Sequence, residues 1–79
     1  MNEEIFYFRV NTFEERNLIA DMLDAIGYEY IDMCGHQAGF EVKYTFEKFK
    51  SIVIQFCELS DIKLIEIKKC IYPGIGLFF

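Results

Sequence analysis

Tyr28-Glu29-Tyr30-Ile31-Asp32-Met33-Cys34-Gly35-His36-Gln37-Ala38-Gly39-Phe40-Glu41-Val42-Lys43-Tyr44, near the middle of the chain, decides the fold. Residues 28–34 alternate, with Ile31 and Met33 on one side and Tyr28, Tyr30 and Asp32 on the other. Phe40, Val42 and Tyr44 then alternate against Glu41, Lys43 and Thr45. A period of two marks a strand with one buried face. A loop over residues 35–39 is short enough to join the two strands as an antiparallel hairpin.

Outward from the hairpin, the chain opens a helix twice in the same way. Asn11-Thr12-Phe13-Glu14-Glu15 precedes it, and Tyr44-Thr45-Phe46-Glu47-Lys48 follows it. Thr12 with Glu15 three residues later is a capping box, and Thr45 has the same capping role with Lys48 in place of the acid. Leu18, Ile19, Met22, Leu23 and Ile26 recur at helical spacing up to Gly27, a residue suited to the left-handed end of a helix. Phe46, Phe49, Ile52, Val53, Phe56 and Cys57 form a second apolar stripe ending near Ser60-Asp61.

Further out, residues 5–10 read as a strand with Phe6, Phe8 and Val10 on one face and Ile5, Tyr7 and Arg9 on the other. Residues 62–72 give a last strand signal whose period slips at Leu64-Ile65. Pro73-Gly74 breaks it and leads into the apolar tail Ile75-Gly76-Leu77-Phe78-Phe79. The order β-α-β-β-α-β with right-handed crossovers gives the ferredoxin-like arrangement: α+β, a four-stranded antiparallel sheet in spatial order 4-1-3-2, both helices on one face. The expectation is one domain over residues 1–79, with a core through residue 72 and a tail from 73. Its interior is expected to hold Phe8, Leu18, Ile19, Met22, Leu23, Ile31, Val42, Phe49, Val53, Phe56 and Ile65.

A 79-residue chain buries only about 60% of its unfolded surface, so it folds unaided only if rich in apolar residues. Here 53% of residues are hydrophobic and 18% aromatic, enough for a core and a surplus for the surface. Such a surplus marks interfaces. Cys34, Cys57 and Cys70 form no C-x-x-C pair, and Met1-Asn2-Glu3-Glu4 does not read as a signal peptide, so a reducing cytoplasm is expected. No apolar run reaches the ~20 residues of a membrane span.

The net charge of −5 is uneven. Residues 1–41 hold nine acids against two bases, and residues 42–79 four acids against six lysines. An acidic first half favours a partner with a basic surface over nucleic acid.

Candidate chemistry is sparse. Asp32, Cys34 and His36, spaced by two, offer oxygen, sulfur and nitrogen. Neighbours at that spacing lie ~7 Å apart along a strand, too far for shared ligation without a bend. They are expected to be plain hairpin residues, with no metal and no nucleophile. Gly74-Ile75-Gly76 lacks the strand-then-helix context of a phosphate loop. No catalytic set and no cofactor are expected.

Ile5-Phe6-Tyr7-Phe8 and Gly39-Phe40-Glu41-Val42-Lys43-Tyr44 occupy the strands that carry base-stacking aromatics in the RNA-recognition motif, and the second resembles its Gly-aromatic pattern. Ala38 replaces the basic residue of that motif, Glu41 a small one, and the run is one residue short. With the acidic balance, this makes RNA a poor expected partner.

The expected partner-binding residues are Glu14, Asp21 and Asp24 on the first helix, Tyr7 and Tyr30 on the helix-free sheet face, and Leu77, Phe78 and Phe79 in the tail. That helix-free face is also expected to present Ile5 and Tyr28. The expected function is a small protein-interaction module, in the manner of a phage-type inhibitor seated on a basic surface of a host nucleic-acid enzyme. The alternative is an ACT-like ligand-sensing or homodimeric regulatory domain, which shares the strand order. The Asn11-Thr12 link lacks the glycines that would line a ligand site there.

Overall fold

The computed structural model describes residues 3–72. β1 (Glu3–Arg9), α1 (Phe13–Ala25), β2 (Tyr30–Cys34), β3 (Gln37–Glu41), α2 (Phe46–Ser60) and β4 (Glu66–Tyr72) follow in that order. They form one antiparallel sheet in the order β2-β3-β1-β4, the ferredoxin-like topology.

Both helices begin where a threonine hydroxyl supplies the acceptor that the first turn lacks. The Glu15 amide donates to Thr12 Oγ1 at 3.1 Å, and the Lys48 amide to Thr45 Oγ1 at 3.1 Å. The Glu15 carboxylate takes a hydrogen bond from the Thr12 hydroxyl itself, at 3.2 Å. α1 ends as Gly27 turns to φ +102°, and α2 as Asp61 turns to φ +57°.

Antiparallel partners share a face, so the register sorts the side chains. Phe6 pairs with Phe40 and Phe8 with Ala38, beneath Ile19, Leu23, Phe49 and Val53 of the helices, all in one buried cluster. Phe49 is its centre, with ring centroids 5.0 Å from Phe6, 5.5 Å from Tyr28 and 6.2 Å from Phe40. Each fully buried ring of this kind contributes roughly 1.5–3 kcal/mol.

Several expectations need correction. The hairpin turn is tighter than residues 35–39: β3 starts at Gln37, and Gly39 is a buried strand residue. The glycine is paired on both sides, with Tyr7 of β1 and Asp32 of β2, rather than part of a turn. β3 ends at Glu41, so Val42 is exposed and Tyr44 sits in a left-handed turn at φ +59° that leads into the Thr45 cap. Tyr28 precedes β2 and points into the core instead of out of the sheet, because Gly27 redirects the chain first. A register shift between Tyr30 and Asp32 leaves Ile31 half-buried, outside the core cluster.

β4 starts later than residue 62. Ile62 is buried and Leu64 packs on the core in the connection, while Ile65 is exposed where its amide bonds the Arg9 carbonyl. Leu18 is exposed too, since it lies about 140° around α1 from Leu23, which points at the sheet. Phe8, Ile19, Leu23, Phe49 and Val53 are buried as expected, and Met22 and Phe56 pack against them from partly buried positions.

Candidate interaction surface

α1 turns Ile19, Ala20 and Leu23 inward, which leaves Glu14, Asp21 and Asp24 in water. Glu14 and Asp21 are seven residues apart, so they stand nearly in line two turns and roughly 10 Å apart, with Asp24 to one side. No ion pair joins any of the three to another described residue. The only base on the helix, Arg16, is engaged elsewhere: Nη1 donates to the Gly35 carbonyl at 2.6 Å, and Nε and Nη2 to Asn17 Oδ1. Its guanidinium also lies over the Phe13 ring, 5.2 Å from the centroid.

Apolar surface adjoins these acids. Leu18 is 54% exposed and lies one turn before Met22, which packs on the core. Leu59 is 82% exposed and lies three residues after Phe56, which does the same from α2. Residues at these spacings share a helix face. The Glu15 carboxylate is close enough to Cys57 to raise its thiol pKa, in addition to the larger effect of burial. Leu18 itself lies one turn after Glu14 and three residues before Asp21, beside both acids on its own helix. The result is an exposed leucine beside unpaired carboxylates. Leu59, about 120° around α2 from the buried Val53, is a surface residue that the sequence analysis did not single out.

The other expected residues are scattered. Tyr30 is 59% exposed at the start of edge strand β2. Tyr7 is only 6% exposed, its hydroxyl donating to Gln37 Oε1 at 2.6 Å and its ring beneath the Lys68 ammonium. Burial raises its phenol pKa, and the nearby Glu66 carboxylate adds to the shift. Leu77, Phe78 and Phe79 lie outside the described residues. His36 sits in the hairpin turn with its ring edge-on to Phe13 at 4.8 Å, while Cys34 is half-buried at the end of β2. Among the described residues no three His, Cys, Asp or Glu side chains converge as a metal site.

A cleft of about 660 Å³ opens at the start of α2, lined by Phe6, Tyr44, Phe46, Glu47, Lys68 and Lys69 among others. Its lysines are already matched: Lys69 pairs with Glu4 at 3.9 Å and Lys68 with Glu66 at 3.6 Å. The cleft therefore offers no convergent charge to a ligand.

Phe6, Phe8 and Phe40 lie under the helices, so none of them is offered to a nucleic-acid base. No helix among the described residues is long and apolar enough to cross a membrane. No protein-family model, curated protein or solved structure matches the chain, so its own geometry carries the functional reading.

Proposed function

We propose that the protein is an interaction module that seats the outer face of α1 on a basic surface of a protein partner, as an inhibitor of a nucleic-acid enzyme would. The observation that supports this reading is the state of the helix's charges. Glu14, Asp21 and Asp24 are exposed and unpaired, while Arg16 is tied to the β2–β3 turn. Unpaired carboxylates in a row raise the local negative potential and speed the approach of a cationic partner. Leu18 supplies apolar contact beside them, which charge alone would not give.

The test is comparative affinity capture from native cytoplasm at low and high salt, with the intact chain and with a Glu14→Lys/Asp21→Lys/Asp24→Lys variant as baits. Circular dichroism verifies that the variant is folded. The expected result is a basic protein retained by the intact chain at low salt, released by high salt and lost from the variant. Identical captured sets from the two folded baits overturn the reading.

A further inference from the structure

β4 lies at one edge of the sheet, and among the described residues nothing hydrogen-bonds to its outer side. Its pairing with β1 is regular along all 7 residues, from Glu66 opposite Arg9 to Tyr72 opposite Glu3. A long, unbroken edge of this kind is a template for a further strand. The direction of its backbone groups follows from the other side of β1. The Val10 amide donates to the His36 carbonyl at 3.0 Å, toward the β2–β3 hairpin. Alternate residues of a strand bond to opposite sides, so Phe8 and Phe6 also face β3, while Ile5, Tyr7 and Arg9 bond to β4. Their partners Cys70, Lys68 and Glu66 are thereby engaged. Ile67 and Lys69 between them turn their N–H and C=O groups outward.

The side chains along this edge are self-complementary about Ile67. When two β4 strands run antiparallel across a two-fold axis at Ile67, Glu66 stands opposite Lys68 of the second copy. Lys68 stands opposite that copy's Glu66, and Ile67 meets Ile67. On the face away from the helices the row across the junction then reads Arg9, Glu66, Lys68, Tyr7, which alternates in charge. It ends on an ammonium that already lies over the Tyr7 ring, 5.2 Å from the centroid. Within one chain, Glu66 holds Arg9 and its own Lys68 only at 3.6 Å, too long for hydrogen bonds. On the helix face Ile67 packs against the core opposite Phe8, so that row reads Phe8, Ile67, Ile67, Phe8. Opposite charges and branched apolar residues are the cross-strand pairs that stabilise a ladder. Other registers fail on the same side chains. An axis at Lys68 or Lys69 sets a lysine against its own copy, and an axis at Cys70 leaves Glu66 with no residue of the second β4 opposite it.

We infer that β4 is a homodimerisation edge: a second copy of the chain pairs antiparallel to it about Ile67 and joins the two four-stranded sheets into one. The other edge does not extend the assembly. β2 has 5 residues, its register shifts between Tyr30 and Asp32, and a two-fold at its centre sets Asp32 against Asp32. The product is a closed dimer rather than a fibre. The inference rests on β4 alone and leaves the acidic face of α1 open to a different partner.

The charges supply the test. Sedimentation velocity over a rising concentration series at low salt is expected to show a monomer–dimer equilibrium for the intact chain. Glu66→Lys sets lysines against lysines across the junction, and Lys68→Glu sets acids against acids. Each variant alone, with its fold verified by circular dichroism, is expected to dimerise more weakly by about tenfold or more. An equimolar mixture of the two is expected to restore association, because every acid then meets a lysine. Should either variant fail to fold, amide hydrogen exchange of the intact chain makes the test. The outward amides of Ile67 and Lys69 are expected to gain protection as concentration rises, while those of β2 do not. A chain that stays monomeric at every concentration overturns the inference. So does a dimer that both folded variants retain, a mixture that fails to associate, or Ile67 and Lys69 amides that exchange equally fast at all concentrations.

Discussion

Arg16 and Gly35 are joined by a 2.6 Å hydrogen bond from Nη1 to the carbonyl oxygen, across 19 positions of sequence. The bond ties the first turn of α1 to the tip of the β2–β3 hairpin, where Gly35 holds φ +60°. It also removes the helix's one cation from the company of Glu14, Asp21 and Asp24. Arg16→Ala is expected to cost about 1 kcal/mol, the lower part of the range for a charged donor because the site is partly in water. Urea denaturation reads the loss, and hydrogen exchange should show it concentrated in the hairpin turn. An unchanged turn would mean that the contact holds nothing in place.

Phe49 and Phe56 lie seven residues apart on α2 but differ in depth. Phe49 is fully buried among Phe6, Tyr28, Phe40 and Phe46, whereas Phe56 only borders the core. Phe49→Ala should cost ~3–5 kcal/mol, a large share of the stability of a domain this size. Phe56→Ala should cost clearly less, because the surface around it can relax into the space. Equal losses in chemical denaturation would contradict this ranking.

Tyr28 is 1% exposed, and its hydroxyl is buried without a hydrogen-bond partner. The Tyr44 ring stands edge-on to it with centroids 6.4 Å apart but accepts no bond from it. A buried, unsatisfied polar group costs about 1–3 kcal/mol, so Tyr28→Phe should leave stability unchanged or raise it by up to ~1 kcal/mol. A loss of more than ~1 kcal/mol on denaturation would show that the hydroxyl is bonded.

The elements and their order were legible because each has its own local signal: two threonine caps, two apolar stripes of helical period, and a strand at each end. What escaped was set by neighbours far away in sequence. Tyr28 alternates with its strand on paper, but Gly27 turns it into the core and Lys43 anchors that turn by donating to the Gly27 carbonyl at 2.8 Å. Gly39 reads as a turn residue and is a buried strand residue, because β1 lies on its other side. The acidic face of α1 was readable from Glu14, Asp21 and Asp24. Its apolar border was not, since Leu18 falls within a helical apolar stripe and is exposed only because Leu23, about 140° around the helix, takes the side that faces the sheet.

The raised pKa values together set a limit at high pH. Burial lifts the Cys57 thiol above its ordinary 9.0, with Glu15 adding to the effect, and lifts the Tyr28 phenol above its ordinary 10.0, with Tyr44 adding to it. In both groups the proton is held more tightly in the folded chain than in the unfolded one. Their contribution to stability is therefore complete below pH 9.0. It falls as the unfolded thiol ionises above 9.0 and the unfolded phenol above 10.0, until the folded values are passed. Cys70 and Tyr7 act in the same direction. Denaturation free energies measured at about pH 8 and about pH 9.5 should therefore show a loss in the intact chain and a smaller loss in Cys57→Ala. Tyr28→Phe should reduce the loss only at higher pH, since its phenol ionises later. An alkaline loss of equal size in the intact chain and in Cys57→Ala would mean that the Cys57 thiol ionises as easily in the folded state as in the unfolded one.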